Sequence, residues 1–238
     1  MNKSTEIFDT QLNEIEHYRK FPAMRPFIGK NYGINNSRKI MLIAESHYLP
    51  PNSTISRNTE NWYNSEQSDL TSEEITWINT RNILKGDWKP NGHMIFRELN
   101  TRLSEFMNVE EFRAMTNVVF MNGFQRPAPE TGDSIKNFCK QIDYKIGAKT
   151  IEEVVNIVEP DLVIFVSKLS WDKLRWKIPK SELKTEYNFV CHPGTGGRYW
   201  HSKKYEHGLK KFKSLIEKEL NKNVLQQRTE VKNNSFLN

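Results

Sequence analysis

Lys39-Ile40-Met41-Leu42-Ile43-Ala44 is a short apolar run opened by a basic residue, and Glu45-Ser46-His47-Tyr48 follows it directly. A run this short and this apolar, bounded by polar residues, predicts a strand buried on both faces. Three more runs share the pattern: residues 117–121 (NVVFM), 161–166 (DLVIFV) and 187–191 (YNFVC).

The segments between these runs have helical spacing. In residues 93–107, Ile95, Phe96, Leu99, Leu103 and Phe106 fall on one side. Residues 133–146 and 150–159 predict two helices, the second opened by Thr150 and Glu153 as a capping box and closed by Pro160. A short helix is expected around Trp171 to Trp176. A last one is expected from about Lys203 to Leu220, with Leu209, Phe212, Leu215 and Ile216 on one face. Ahead of the first strand, residues 5–20 predict a helix through Ile7, Phe8, Leu12, Ile15 and Tyr18, broken by Pro22 and Pro26. Short strands alternating with helices define an α/β chain: a three-layer α/β/α domain around a central four-stranded parallel sheet.

The chain has 238 residues, which fits one domain over residues 1–220 and a polar, frayed tail over 221–238. Residues 50–92 differ in character. They are rich in Asn, Ser, Thr and Glu, and they carry Trp62, Tyr63, Trp77 and Trp88. They predict a long, partly ordered insertion over one end of the sheet, either a lid or peripheral packing. Within it, Thr71 and Glu74 form a capping box that starts a helix.

Hydrophobic residues make up 37% of the chain and the mean hydropathy is −0.72. No apolar run approaches the roughly 20 residues that span a bilayer. The N-terminal stretch lacks the apolar core of a signal peptide. The expectation is a cytoplasmic monomer with no membrane partner. Two cysteines, Cys139 and Cys191, exclude a disulfide framework, a four-cysteine zinc site and an iron–sulfur cluster. His201 and His207 are six residues apart and fall on different faces of a helix, so no metal and no cofactor is expected. The net charge is +6, and from Lys168 to Lys213 twelve lysines and arginines face four acidic residues, leaving the rest slightly acidic. Such a patch favours a polyanion.

In a parallel sheet the ligand sits beyond the carboxyl ends of the strands. The first strand ends in Glu45-Ser46-His47-Tyr48 and the second in Asn122-Gly123-Phe124-Gln125-Arg126. The third ends in Ser167-Lys168. The fourth ends in Cys191-His192-Pro193-Gly194-Thr195-Gly196-Gly197-Arg198-Tyr199-Trp200. Each tip has a bland alternative as a cap, a turn or a packed loop. Four polar tips on one rim point to a ligand site, because unpaired buried polar groups are costly.

In order and spacing, KIMLIAESHY, VVFMNGF, LVIFVSK and CHPGTGGRYW resemble the motifs of the uracil-DNA glycosylase superfamily, over roughly residues 38–218. The best-known branch carries Gly-Gln-Asp-Pro-Tyr at the first motif. Aligned on Tyr48, this chain has Ser46 at the place of the aspartate, and Glu45 is the substitute carboxylate. The resemblance therefore is to an atypical branch, and the two-cysteine count excludes the iron–sulfur branches.

The resemblance implies a monofunctional DNA glycosylase that flips a uracil or modified pyrimidine and leaves an abasic site. Glu45 then stabilises the cationic sugar and orients water, and His192 donates to the departing base. Asn122 reads the flipped base, and Tyr48, Ser46 and His47 line its pocket. Ser167, Lys168, Gly194, Gly196, Gly197 and Arg126 grip DNA, and Arg198 or Tyr199 fills the gap left by the base. Some relatives remove bulky modified bases from phage DNA as a defence. The altered first motif and the 50–92 segment suit such a substrate, for example a hypermodified cytosine. The alternatives are a catalytically silent DNA- or nucleotide-binding relative and an unrelated α/β hydrolase. The hydrolase lacks the Gly-x-Ser-x-Gly elbow it would need.

Overall fold

The computed structural model describes residues 3–34, 37–89, 92–107, 113–128, 135–179, 183–203 and 208–235. Its centre is a sheet of β1 (Phe27–Ile28), β2 (Ile40–Ala44), β3 (Val118–Asn122), β4 (Leu162–Phe165) and β5 (Glu186–Phe189), in the order β1-β3-β2-β4-β5. The four expected strands are all present and mutually parallel. The sheet nevertheless has five strands, because Phe27–Ile28 adds an antiparallel edge against β3. Two residues are too few to show a period.

The helices are α1 (Asp9–Leu12), α2 (Glu16–Lys20), α3 (Thr59–Asn64), α4 (Ser72–Ile78), α5 (Thr80–Lys85) and α6 (Met94–Leu103), then α7 (Gln141–Val158), α8 (Lys168–Leu174) and α9 (Gly208–Ser235). Every residue of β2 is buried, and alternate residues serve two cores. Met41 and Ile43 join Val119, Met121, Val163 and Phe165 under α7 and α8. Ile40, Leu42 and Ala44 join Phe120 and Ile164 against α6 and α9, where Leu99, Leu103, Phe212 and Ile216 are buried. Helices on both faces of one sheet make this an α/β/α sandwich.

Several expectations change in detail. The helix over 5–20 is two short pieces, α1 and α2. The two helices over 133–146 and 150–159 are one, α7, and residues 133–134 lie outside the described residues. Gly147 sits in the middle of α7, where a Cβ would stand 2.7 Å from the carbonyl oxygen of Gly123. Its poor helix propensity is thus offset by the approach of α7 to the tip of β3. Thr150 is an interior residue of that helix and not a cap. The capping box at Thr71 and Glu74 is present at the start of α4. Beyond Leu220, where a frayed tail is expected, α9 continues to Ser235.

Residues 50–92 are not a loose cover. Trp62 is fully buried, its ring stacked on Phe21 with centroids 4.4 Å apart, and its indole N–H donates to the Gln125 carbonyl at 2.9 Å. Tyr63, Leu70 and Ile78 belong to the same core as β2. Among the described residues no helix is long and apolar enough to cross a membrane.

Candidate functional site

After β2 the chain crosses to β3 on one side, and after β3 it returns past β2 to β4 on the other. The carboxyl ends of β2 and β4 therefore flank the point where the strand order reverses. There the loops diverge, which is where a fold of this kind places its ligand. Glu45 follows β2 and Ser167 precedes α8 at the end of β4. The Ser167 hydroxyl donates to Glu45 Oε2 at 2.9 Å and accepts from the Ser170 amide at 3.3 Å. The N-cap of α8 thus aims the carboxylate. The backbone beside it is fixed as well: the Glu45 carbonyl accepts from the Phe124 amide at 2.9 Å, and the Ala44 carbonyl accepts from the Gly123 amide and the Ser170 hydroxyl.

His192 follows β5, near enough to Glu45 for its ring to feel that charge. Burial holds the imidazole below its ordinary pKa, and Glu45 only partly opposes this. The Gly194 amide donates to His192 Nδ1 at 3.0 Å. A Cβ on residue 194 would lie 2.9 Å from His192 Cε1, so this approach needs glycine. With Nδ1 accepting, the neutral ring carries its proton on Nε2. Asn122 pairs in register with Ala44 at the end of β3. Its backbone carbonyl accepts from Gln125 Nε2 at 2.7 Å, and its side-chain amide has no hydrogen-bond partner among the described residues.

Glu45, Asn122, Ser167 and His192 thus share one rim. The other expected residues divide. Tyr48 is exposed beside it, bridged to Ala128, and Ser46 is half-buried. Lys168 is exposed and pairs with Asp172 at 2.7 Å. Gly194, Gly196 and Gly197 lie in a 3-10 turn, Pro193–Arg198, with Arg198 exposed and its guanidinium 5.4 Å from the Tyr199 ring. Ser167 is buried and committed to Glu45, so it positions the carboxylate and does not reach solvent for a phosphate.

Two assignments are corrected. His47 is buried, its Nε2 2.9 Å from the Thr80 hydroxyl, because the chain turns after Glu45 and sends the ring toward α5. Arg126 is fully buried and makes a two-pronged ion pair with Asp143, Nε to Oδ1 at 2.9 Å and Nη2 to Oδ2 at 2.8 Å. It also donates to the carbonyls of Ser56 and Phe138 at 2.6 and 2.7 Å. It cannot reach DNA.

Two contributors were not expected. Gln125 braces the tip of β3 through the carbonyls of Asn122 and Gly123. Cys139 lies close enough to sense the Glu45 charge, and burial lifts its thiol to about 12. Gln125 belongs to the polar tip after β3, though no role was expected for it, and nothing in the local sequence marks Cys139. Two concavities lie away from the rim: a shallow cleft of about 360 Å³ between α1 and α7 and a smaller one of about 70 Å³ beside His17. Among the described residues no cluster of His, Cys, Asp or Glu is arranged to hold a metal ion. His207 lies outside the described residues.

What remains is an α/β protein with a fixed carboxylate and a neutral imidazole donor at its switch point. No protein-family model matches the chain, and no curated protein matches it at a significant level.

Proposed function

We propose that the chain is a monofunctional DNA glycosylase of the uracil-DNA glycosylase type that hydrolyses the N-glycosidic bond of a flipped uracil or modified pyrimidine. The observation that carries this reading is the pairing at one rim of Glu45, aimed by Ser167, with His192, whose proton is kept on Nε2 by Gly194.

Cleaving the bond between C1′ and the base nitrogen sends the electron pair into the base and leaves positive charge on the sugar. The Glu45 carboxylate stabilises that cation and accepts a proton from the water that attacks C1′. His192 Nε2–H meets the negative charge gathering on the base. Groups fixed in advance do this best, since they need no reorganisation in the transition state. Asn122, with one donor and one acceptor, reads the edge of the flipped base. Tyr48 walls the pocket, and Lys168, Arg198 and the turn over Gly194, Gly196 and Gly197 face the DNA backbone. A modified cytosine of phage DNA, removed in defence, is the substrate class that suits a first motif without aspartate. The proposed setting is a cytoplasmic monomer.

The test is release of free base from DNAs carrying uracil or modified cytosines. Wild type should leave abasic sites, and Glu45→Gln and His192→Ala should each lose about 100-fold or more in rate. Undiminished release by both variants refutes the site. No release by wild type from any substrate turns the reading into that of a silent DNA-binding relative.

A further inference from the structure

Beside the rim, the open edge of the sheet carries a second surface. β5 ends the sheet, and no described strand pairs with its outer side. Unlike β2 and β4, whose residues are all buried, β5 is exposed at Glu186 and only half-buried over Tyr187–Phe189. Phe189 is level with Phe165, two residues before Ser167, so the edge begins at the rim.

Aromatic rings continue from there. Phe189 stacks on Trp171 of α8 with centroids 5.1 Å apart and planes 26° apart. Trp171 meets Trp176 edge-on at 5.8 Å. Cations flank this ladder: Lys211 Nζ is 3.9 Å from the Phe189 centroid, and the Arg175 guanidinium is 4.1 Å from that of Tyr187. Residues 168–177, KLSWDKLRWK, hold four basic residues and one acid. The bland account is that these contacts simply seal the edge. That account fits Trp171 but not Trp176, which is 75% exposed and gains nothing by burial where it stands.

We infer that this edge is a track for single-stranded DNA, with an unstacked base lying against the exposed Trp176 ring and phosphates met by the flanking cations. Rings offer a flat face to every base, and cations beside them answer the backbone, which is the combination a single strand needs and a duplex cannot use. The inference rests on the reading of the rim as a DNA site and adds its strand class: the track delivers a strand whose bases are already unstacked.

The test is fluorescence anisotropy of a labelled twelve-residue oligo(dT) with no modified base, beside a duplex of the same length. Wild type should bind the single strand more tightly, and binding should weaken as salt rises. Trp176→Ala should weaken single-strand binding about tenfold, Trp176→Phe should retain most of it, and Lys177→Glu should weaken it independently. Trp176→Ala binding oligo(dT) as wild type does, or wild type preferring the duplex, overturns the track. Base release measured on the same proteins separates the two ideas. Release without single-strand binding removes the track alone, and single-strand binding without release removes the reaction alone.

Discussion

Two polar clusters follow the carboxyl ends of the strands, one around Arg126 and Asp143 and one around Glu45 and His192, and they are built on different plans. In one, every hydrogen-bonding group of the Arg126–Asp143 pair has a protein partner. Asp143 receives Arg126, the Tyr63 hydroxyl at 2.8 Å and the Lys140 amide at 2.7 Å, and Arg126 also donates to two carbonyls. In the other, Glu45 and His192 are each aimed by a neighbour, and the Asn122 amide has no partner among the described residues. A closed account of donors and acceptors marks a cluster that holds the fold. At the rim, the Asn122 amide is the group left for the proposed ligand to meet.

The sharpest way to break this contrast is to open the closed cluster. Arg126→Met should destabilise the protein by about 3–5 kcal/mol in urea unfolding, because the Asp143 charge is left buried without its cation. The double change Arg126→Met with Asp143→Leu should recover much of that loss. Equal tolerance of Arg126→Met would mean that the pair does not hold the fold. The rim should behave in the opposite way: Glu45→Gln and His192→Ala, costly to the proposed base release, should leave the unfolding midpoint near that of wild type.

Acid should probe two buried rings that belong to neither cluster. Burial holds both His17 and His47 down to about 3, and His17 Nε2 and His47 Nδ1 have no hydrogen-bond partner among the described residues. Between that value and the ordinary 6.5 the unfolded chain binds protons that the folded chain refuses. Stability is therefore full above about pH 6.5 and falls as pH drops toward 3. Lowering the pH from 7 to 5 should cost at most about 2 kcal/mol per ring, and His17→Phe should flatten part of that slope. A pH-independent midpoint over this range would show that the rings are not held neutral. The smallest effect sharpens the contrast most finely. Ser167→Ala removes the donor that aims Glu45 and should slow base release about tenfold with little change in substrate affinity. A change in affinity alone would return Ser167 to a DNA-contact role.

Three of the four parallel strands were legible because a strand buried on both faces is apolar almost throughout and needs no partner to be recognised, while the fourth, half-buried at the edge of the sheet, was read from the short run YNFVC. β1 was not, since two residues have no period and their pairing is supplied entirely by β3. The expected break before Thr150 failed because Thr150 and Glu153 match a capping box yet stand inside α7, and Gly147, a poor helix former, is kept there by its contact with Gly123, more than twenty positions away. Position after a strand located Glu45, Asn122, Ser167 and His192 together. It failed for Arg126 and His47, whose directions depend on how the chain turns once the strand has ended. Arg126 read as a DNA contact because charge near a tip looks the same whether it faces water or a buried aspartate. Its partner lies seventeen residues downstream on α7.

The anchoring of residues 50–92 also says where the work of recognition falls. Tyr63 and the Ser56 carbonyl are bound into the Arg126–Asp143 pair, and Trp62 lies beneath Gln125. Lifting this segment like a jaw would strip the Tyr63 and Ser56 hydrogen bonds from a buried ion pair and open it to water, so the rim is offered to a substrate already shaped. For the proposed reaction, adaptation then belongs to the nucleic acid. A nucleotide that leaves its stack at little cost is admitted more often than a well-stacked one, and selectivity begins with the mechanics of the strand before any base is read.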